Sequence, residues 1–232
     1  MVEPVTGLRA ETIRSNLDRV RDEIASTGRD PGGVQILAAV KYVPLGELGV
    51  LAEAGVELVG ENRAQDLVAK AEAYPGAFTW DFIGHLQSRK ARDLVGRVRL
   101  VHSLSTLSAA ERLDRASTEP IACLVEVNAA GEESKQGLAA GELDAFLEAV
   151  AGLPNLRIEG LMTMPPLAAT PEASRPHFAA LRELAATLTQ RWAPQHGFAR
   201  LSMGTSQDYA VAVEEGATIV RLGSALYRRS SV

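Results

Sequence analysis

The stretch Gln35-Ile36-Leu37-Ala38-Ala39-Val40-Lys41-Tyr42-Val43-Pro44 decides how the chain is read. It is a short apolar run bounded by Pro31-Gly32-Gly33 on one side and Pro44 on the other, the pattern of a buried strand. The strand is predicted to end at Lys41. Solvent gives way to core there, and partial desolvation disfavours the charged form, leaving the free amine that attacks a carbonyl. Taken alone, the stretch also fits a lysine that snorkels from a strand end or pairs with a carboxylate.

Outward from this strand, an apolar run, a polar turn and a helical pattern recur along the chain. Before it, Ile13, Leu17, Val20 and Ile24 form the buried stripe of an amphipathic helix over 6–27, ended by Gly28 and Pro31. After it, strands are predicted at 56–59, 78–83, 98–101, 121–127, 158–162, 200–203 and 218–222. Helices are predicted at 45–54, 64–73, a basic segment through Val95, 108–116, 142–151, 176–192 and 208–215. Eight short strands alternating with helices imply parallel pairing through helical crossovers and closure into a (β/α)8 TIM barrel. Little chain follows the last strand, so the extra N-terminal helix is expected to cover the gap in the outer ring. An open doubly wound sheet is the other arrangement considered, but no Gly-x-Gly-x-x-Gly follows the first strand. The 232 residues are read as one domain, 1–232.

Composition excludes several classes of function. With 24 Lys plus Arg against 29 Asp plus Glu and no basic block, neither nucleic acid nor an anionic membrane is expected as a partner. The lone Cys123, inside Ile121-Ala122-Cys123-Leu124-Val125, reads as a small buried hydrophobe in a reducing compartment. No run approaches the roughly 18 apolar residues of a membrane span, and the N-terminus lacks a signal-peptide pattern, so a cytoplasmic location is expected. The histidines at 85, 102, 177 and 196 show no ligand spacing, so no metal is expected; His177 and His196 read as helix-surface residues. No nucleophile elbow supports a Ser-His-Asp triad.

In a TIM barrel, reactive side chains come from the C-terminal strand ends, and a phosphate is often held after strands seven and eight. The predicted strand ends carry Lys41, Asn62, His85, Ser103, Asn128, Thr163, Ser206 and Ser224. The loop after strand five holds Glu133-Ser134-Lys135-Gln136-Gly137. The loops Gly204-Thr205-Ser206 and Gly223-Ser224 combine close backbone approach with hydroxyl donors, as an anion site requires. Ser206 as a helix N-cap and Gly223 as a turn residue are the plainer readings. Arg221 stands inside Thr218-Ile219-Val220-Arg221-Leu222, shares strand parity with Gly223, and would be buried below that site. An ion pair with Glu126 or Glu159 is the structural alternative. An amine, a phosphate site and an interior cation together suit a phosphorylated aldehyde such as pyridoxal 5'-phosphate (PLP).

The motifs Ala39-Val40-Lys41, Gly60-Glu61-Asn62, Phe82-Ile83-Gly84-His85-Leu86-Gln87, Gly160-Leu161-Met162-Thr163-Met164, Leu201-Ser202-Met203-Gly204 with Ser206 and Asp208, and Val220-Arg221-Leu222-Gly223 resemble the pyridoxal-phosphate homeostasis (YggS/PROSC) family over nearly the whole chain. That family is similar to the barrel domain of alanine racemase. The resemblance implies that Lys41 carries the cofactor as a Schiff base and that Arg221 faces the pyridine nitrogen. It also implies that Ser206, Gly223 and Ser224 hold the phosphate while Asn62, His85 and Ser202 line the cofactor. Thr205, where the family commonly has methionine, and Tyr227-Arg228, where it often ends in Gly-x-x-Phe-Gly, are departures at the rim. The function so implied is PLP homeostasis without fast catalysis; a PLP-dependent amino-acid racemase and a cofactor-free lysine aldolase are the competing readings. Implied partners are PLP, apo PLP-dependent enzymes and small amino acids, with the chain a monomer.

Overall fold

The computed structural model describes residues 3–129, 136–166 and 168–228; Glu133-Ser134-Lys135 of the loop after strand five lie outside them. The expected strand–helix alternation is present. Strands β1 (Gln35–Ala39), β2 (Leu58–Glu61), β3 (Thr79–Phe82), β4 (Leu100–Leu104), β5 (Ile121–Glu126), β6 (Leu156–Met162), β7 (Arg200–Thr205) and β8 (Ile219–Leu222) pair in parallel in chain order, and β8 returns to β1 to close the barrel. Around them lie α1 (Ala10–Ser26), α2 (Leu48–Glu53), α3 (Ala64–Ala73), α4 (Ala91–Leu94), α5 (Leu107–Ala116), α6 (Leu143–Val150), α7 (Arg175–Trp192), α8 (Tyr209–Glu214) and α9 (Ser224–Tyr227).

Strand parity divides the core into two apolar layers. Leu37, Leu100, Ala122, Leu124, Met162 and Ile219 fill the lumen, while Ala38, Val59, Trp80, Val101, Cys123, Leu161 and Val220 face the helices. Ile13, Val20 and Ile24 of α1 are fully buried, and the helix packs on α9, α2 and α8 over the seam between the two chain ends. The latch is polar: Asn16 Nδ2 donates to the carbonyls of Leu226 and Arg228, both at 2.9 Å. The extra helix thus covers the gap as its stripe implied.

Element boundaries move where polar residues and glycine interrupt the apolar run. β1 stops at Ala39, two residues short of Lys41, while β2 runs on through Gly60 and Glu61, β4 through His102 and Ser103, and β7 through Gly204 and Thr205. Each had the look of a loop because polar side chains interrupt the apolar run. They remain in strands because tertiary partners satisfy them, as Lys70 on α3 does for Glu61 and the Gly84 carbonyl does for Ser103 Oγ. Gly204 has φ +88, and a Cβ there would lie 2.6 Å from Ala212 Cβ, so this glycine serves the packing of α8 on β7.

Candidate functional site

Lys41 lies in a turn just beyond β1 and is exposed, with Nζ 5.2 Å from the centroid of the Tyr42 ring. The partial desolvation expected of a strand-end lysine is therefore not present, because the strand ends earlier and lifts residue 41 onto the rim. The backbone beneath it is fixed from below. Lys70 on α3 is buried and donates to the Val40 carbonyl at 2.7 Å and to Glu61 Oε2 at 2.5 Å. Glu61, also buried, accepts the Asn62 N–H on Oε1 at 2.7 Å. One buried ion pair thus sets the peptide before Lys41 and the peptide of Asn62. Asn62 is half-buried, and Gly84 allows its close packing, since a Cβ at residue 84 would meet the Asn62 carbonyl oxygen at 2.0 Å.

The loops after β7 and β8 are joined directly. Ser206 Oγ accepts the backbone N–H of Gly223 at 3.0 Å and of Ala225 at 3.1 Å. Ser206 is not the N-cap of α8. Asp208 takes the N-cap position there and binds the Thr205 N–H at 2.7 Å. The Ser206 hydroxyl proton is not needed for either contact, so it can turn toward an anion placed between the loops; Ser224 is exposed at the same edge. A cavity of about 290 Å³ opens here, lined by Ser206, Gln207, Ser224 and Ala225 together with Arg19 and Arg228. The Lys41 turn adjoins this edge, because Ala38 is in register with Leu222 and Tyr227 Oη donates to the Ala39 carbonyl at 3.3 Å.

Arg221 is buried, at 6 % exposure, and points into the lumen on the same parity as Ile219. Its Nη1 donates to the Ser202 carbonyl at 2.8 Å and to Ser202 Oγ at 2.5 Å, and its Nη2 donates to the Thr163 carbonyl at 2.9 Å. Burial pulls its pKa down to about 10, against the pull of the Glu126 and Asp208 carboxylates, so the guanidinium stays charged at neutral pH. Glu159 is not its partner; that carboxylate faces outward to Arg157 at 2.9 Å and Arg200 at 3.0 Å. Glu126 contributes charge from β5, yet its buried Oε2 finds no hydrogen-bond partner among the described residues, and burial raises its carboxyl pKa against the influence of Arg221. Ser202 is fully buried, with His102 Nδ1 2.9 Å from its Oγ; His102 Nε2 lies 3.0 Å from Asp81 Oδ2, and Arg99 Nε binds Asp81 Oδ1 at 2.9 Å.

The structure thus gathers Lys41, Asn62, Ser206, Arg221, Gly223 and Ser224 at the C-terminal end of the barrel, with Ser202 one layer below. His85 is exposed on the loop after β3 and, among the described residues, hydrogen-bonds to none of the others. His196 is buried, not on a helix surface: its Nε2 meets the Leu147 carbonyl at 3.0 Å. Lys70 and Asp81 were not singled out from the sequence, Glu61 and His102 were given no role of their own, and Glu126 was named only as an alternative partner for Arg221. The available signal was the one that exposed Arg221, a charged or titratable residue inside an apolar run, as in Trp80-Asp81-Phe82 and Val101-His102. Cys123 is buried and its thiol pKa is pushed up by burial. Among the described residues, no group of three or more His, Cys, Asp or Glu could hold a metal.

Comparison with known proteins identifies the family. The family model for the alanine racemase N-terminal domain matches residues 8–231. The pyridoxal phosphate homeostasis protein of Aquifex aeolicus is 38 % identical over 94 % of this chain and 96 % of its own length. The protein of that name from Pseudomonas aeruginosa is 40 % identical over 94 % of each. Among solved structures, PipY of Synechococcus elongatus with PLP bound is 33 % identical, with a TM-score of 0.81 over 93 % of this chain and all of that one. Alanine racemase from Corynebacterium glutamicum shares the fold alone, with 13 % identity and a TM-score of 0.68 over 95 % of this chain and 61 % of that one. The chain belongs to the pyridoxal phosphate homeostasis protein family, whose barrel is that of the alanine racemase N-terminal domain.

Proposed function

We propose that this chain holds PLP through a Schiff base on Lys41 and acts in intracellular PLP homeostasis, not as a fast catalyst. The observation that carries this reading is the joining of three elements at one barrel end: the amine of Lys41, the Ser206–Gly223–Ala225 cradle, and the cation of Arg221 beneath them. The family's names and the PLP-bound PipY structure support it. The residues fit the group. The hydroxyls of Ser206 and of the exposed Ser224 offer O–H donors to a phosphate, the Gly223 and Ala225 N–H groups being used to hold Ser206 Oγ in place, and the buried Glu126 Oε2 at the upper lumen leaves a polar atom for a ligand to meet.

PLP supplies an electron sink that depends on protonation of its ring nitrogen. Arg221 opposes that protonation: a guanidinium is always a donor, and a second cation beside it is disfavoured. In this reading Asn62 and His85 flank the ring from the loops after β2 and β3, Ser202 supports Arg221, and Ser206, Gly223 and Ser224 hold the phosphate. Racemisation needs an acid-base group on each face. Among the tyrosines, Tyr74 is bound to the Leu45 carbonyl at 3.0 Å, Tyr209 to Glu23 at 2.5 Å and Tyr227 to the Ala39 carbonyl at 3.3 Å. Tyr42 shares the turn of Lys41. Three of the four are engaged elsewhere, and Tyr42 lies beside Lys41 itself.

The same reading takes residues 1–232 as one cytoplasmic, monomeric unit whose rim is visited by small amino acids and apo PLP-dependent enzymes. Among the described residues no helix is long and apolar enough to cross a membrane. Titration of purified protein with PLP, followed by visible absorbance and then by chiral analysis after incubation with L-alanine, tests the proposal. A saturable band without D-alanine at enzyme-like turnover supports it. A protein that takes up no PLP, or one that accumulates D-alanine steadily, contradicts it.

A further inference from the structure

Five side chains carry a polar chain through a lumen otherwise filled by Leu37, Leu100, Ala122, Leu124, Met162 and Ile219. It starts at Arg99, at the lower end of β4, passes to Asp81 on β3 and His102 on β4, crosses to Ser202 on β7 and ends at Arg221 on β8. Asp81, His102 and Ser202 are buried to at least 98 %.

The direction of every hydrogen bond in the chain is fixed by its ends. Arg221 can only donate, so Ser202 Oγ is an acceptor toward it at 2.5 Å. The serine proton must then go elsewhere, and His102 Nδ1 at 2.9 Å is placed to accept it. From the other side, Asp81 carries two bonds from Arg99 and is an acceptor only, so His102 Nε2 must carry the hydrogen that reaches it at 3.0 Å. Both constraints select the same neutral Nε2–H tautomer. A doubly protonated ring would point a donor at Ser202 Oγ and strip the serine hydrogen of its acceptor.

Resting on the PLP reading above, we propose that His102 is a positioning residue: through a one-directional relay, Asp81–His102–Ser202 holds the Arg221 guanidinium aimed at the pyridine nitrogen of the bound cofactor. The reason such a device is needed lies on β5. Glu126 presents to the same region a buried Oε2 with no hydrogen-bond partner among the described residues, and its charge acts on Arg221. Without the Ser202 Oγ contact, only the Ser202 and Thr163 carbonyls hold the guanidinium against the pull of that carboxylate, and its aim at the ring nitrogen loosens.

His102→Leu cuts the relay. His102→Gln keeps it, because a carboxamide also presents one acceptor and one donor side by side and does not titrate. Loss of an oriented bond to a charged group is worth about 1.5–3 kcal/mol, so PLP affinity in His102→Leu should fall about tenfold or more. The pH midpoint of the Schiff-base absorbance band should shift in that variant. His102→Gln should restore both toward wild type, even if both variants lose thermal stability. A role limited to stability would leave the midpoint unmoved. Should His102→Leu fail to fold, Ser202→Ala serves the same comparison. In parallel, ¹⁵N NMR of the PLP-free wild type should show His102 as the Nε2–H tautomer between about pH 6 and 8. An Nδ1–H or charged ring overturns the relay outright. An unchanged midpoint and affinity in the cut variants, beside a wild type that binds PLP, overturns the positioning role while the cofactor reading stands. A wild type that takes up no PLP overturns the cofactor reading, and the positioning role with it.

Discussion

Glu126 carries the clearest pH signature at the scale of single residues. Burial raises its carboxyl pKa, opposed by Arg221, so the folded protein keeps this proton to higher pH than the unfolded chain, whose value is near 4.5. The sign follows: the stability tied to this group is complete below that value and is lost as pH rises through the folded pKa. Glu126→Gln removes the loss. Its Tm relative to wild type, measured without PLP, should therefore climb as pH rises from 4.5, by about 2–4 °C for each kcal/mol recovered. A Tm difference independent of pH would show that the carboxylate is satisfied when charged. At the same scale, Arg221 was legible from the sequence because a guanidinium inside an apolar strand demands an explanation, and strand parity gave its direction. The environment of Lys41 was not. Its exposure depends on β1 ending at Ala39, which an apolar run continuing through Val40 conceals.

Among the elements, α3 does more than cover the barrel. Lys70 stands three residues beyond Leu67 on the inward face of that helix, and it ties α3 to Glu61 at the end of β2 and to the peptide just before Lys41. Removing one member of a buried pair strands the other charge at a cost of about 3–5 kcal/mol. Lys70→Met should accordingly lower Tm by about 6 °C or more at 2–4 °C per kcal/mol. Arg115→Ala, which opens the exposed pair with Glu111, should change Tm by about 2–4 °C or less, since such pairs contribute up to about 1 kcal/mol. Differential scanning calorimetry compares the two; equal losses would deny Lys70 its anchoring role. Helical periodicity made α1 and α3 readable, the latter over 64–73 as found. The ends of β2, β4 and β7 were unreadable by the same logic, because Glu61, His102 and Thr205 are polar residues in strands, and only tertiary partners keep them there.

For the whole molecule, eight alternating units proved sufficient to specify the barrel, and the short tail after β8 pointed correctly to the seam that α1 covers. The lumen's polar chain was beyond reach of the sequence. Asp81, His102 and Ser202 stand up to 121 residues apart along the chain, and only closure of the barrel brings β4 opposite β7. The resulting molecule has an amine on an open rim, the joined Ser206 and Gly223 loops beside it, and a buried cation held from below. That arrangement suits a cofactor that must be retained and released more than one that must be worked on. Borohydride reduction of PLP-loaded protein, followed by peptide mass mapping, tests this account most directly. The account predicts that phosphopyridoxyl label is fixed stoichiometrically on the peptide containing Lys41 and is absent from Lys41→Ala. Label on another lysine, or none in the wild type, would contradict it.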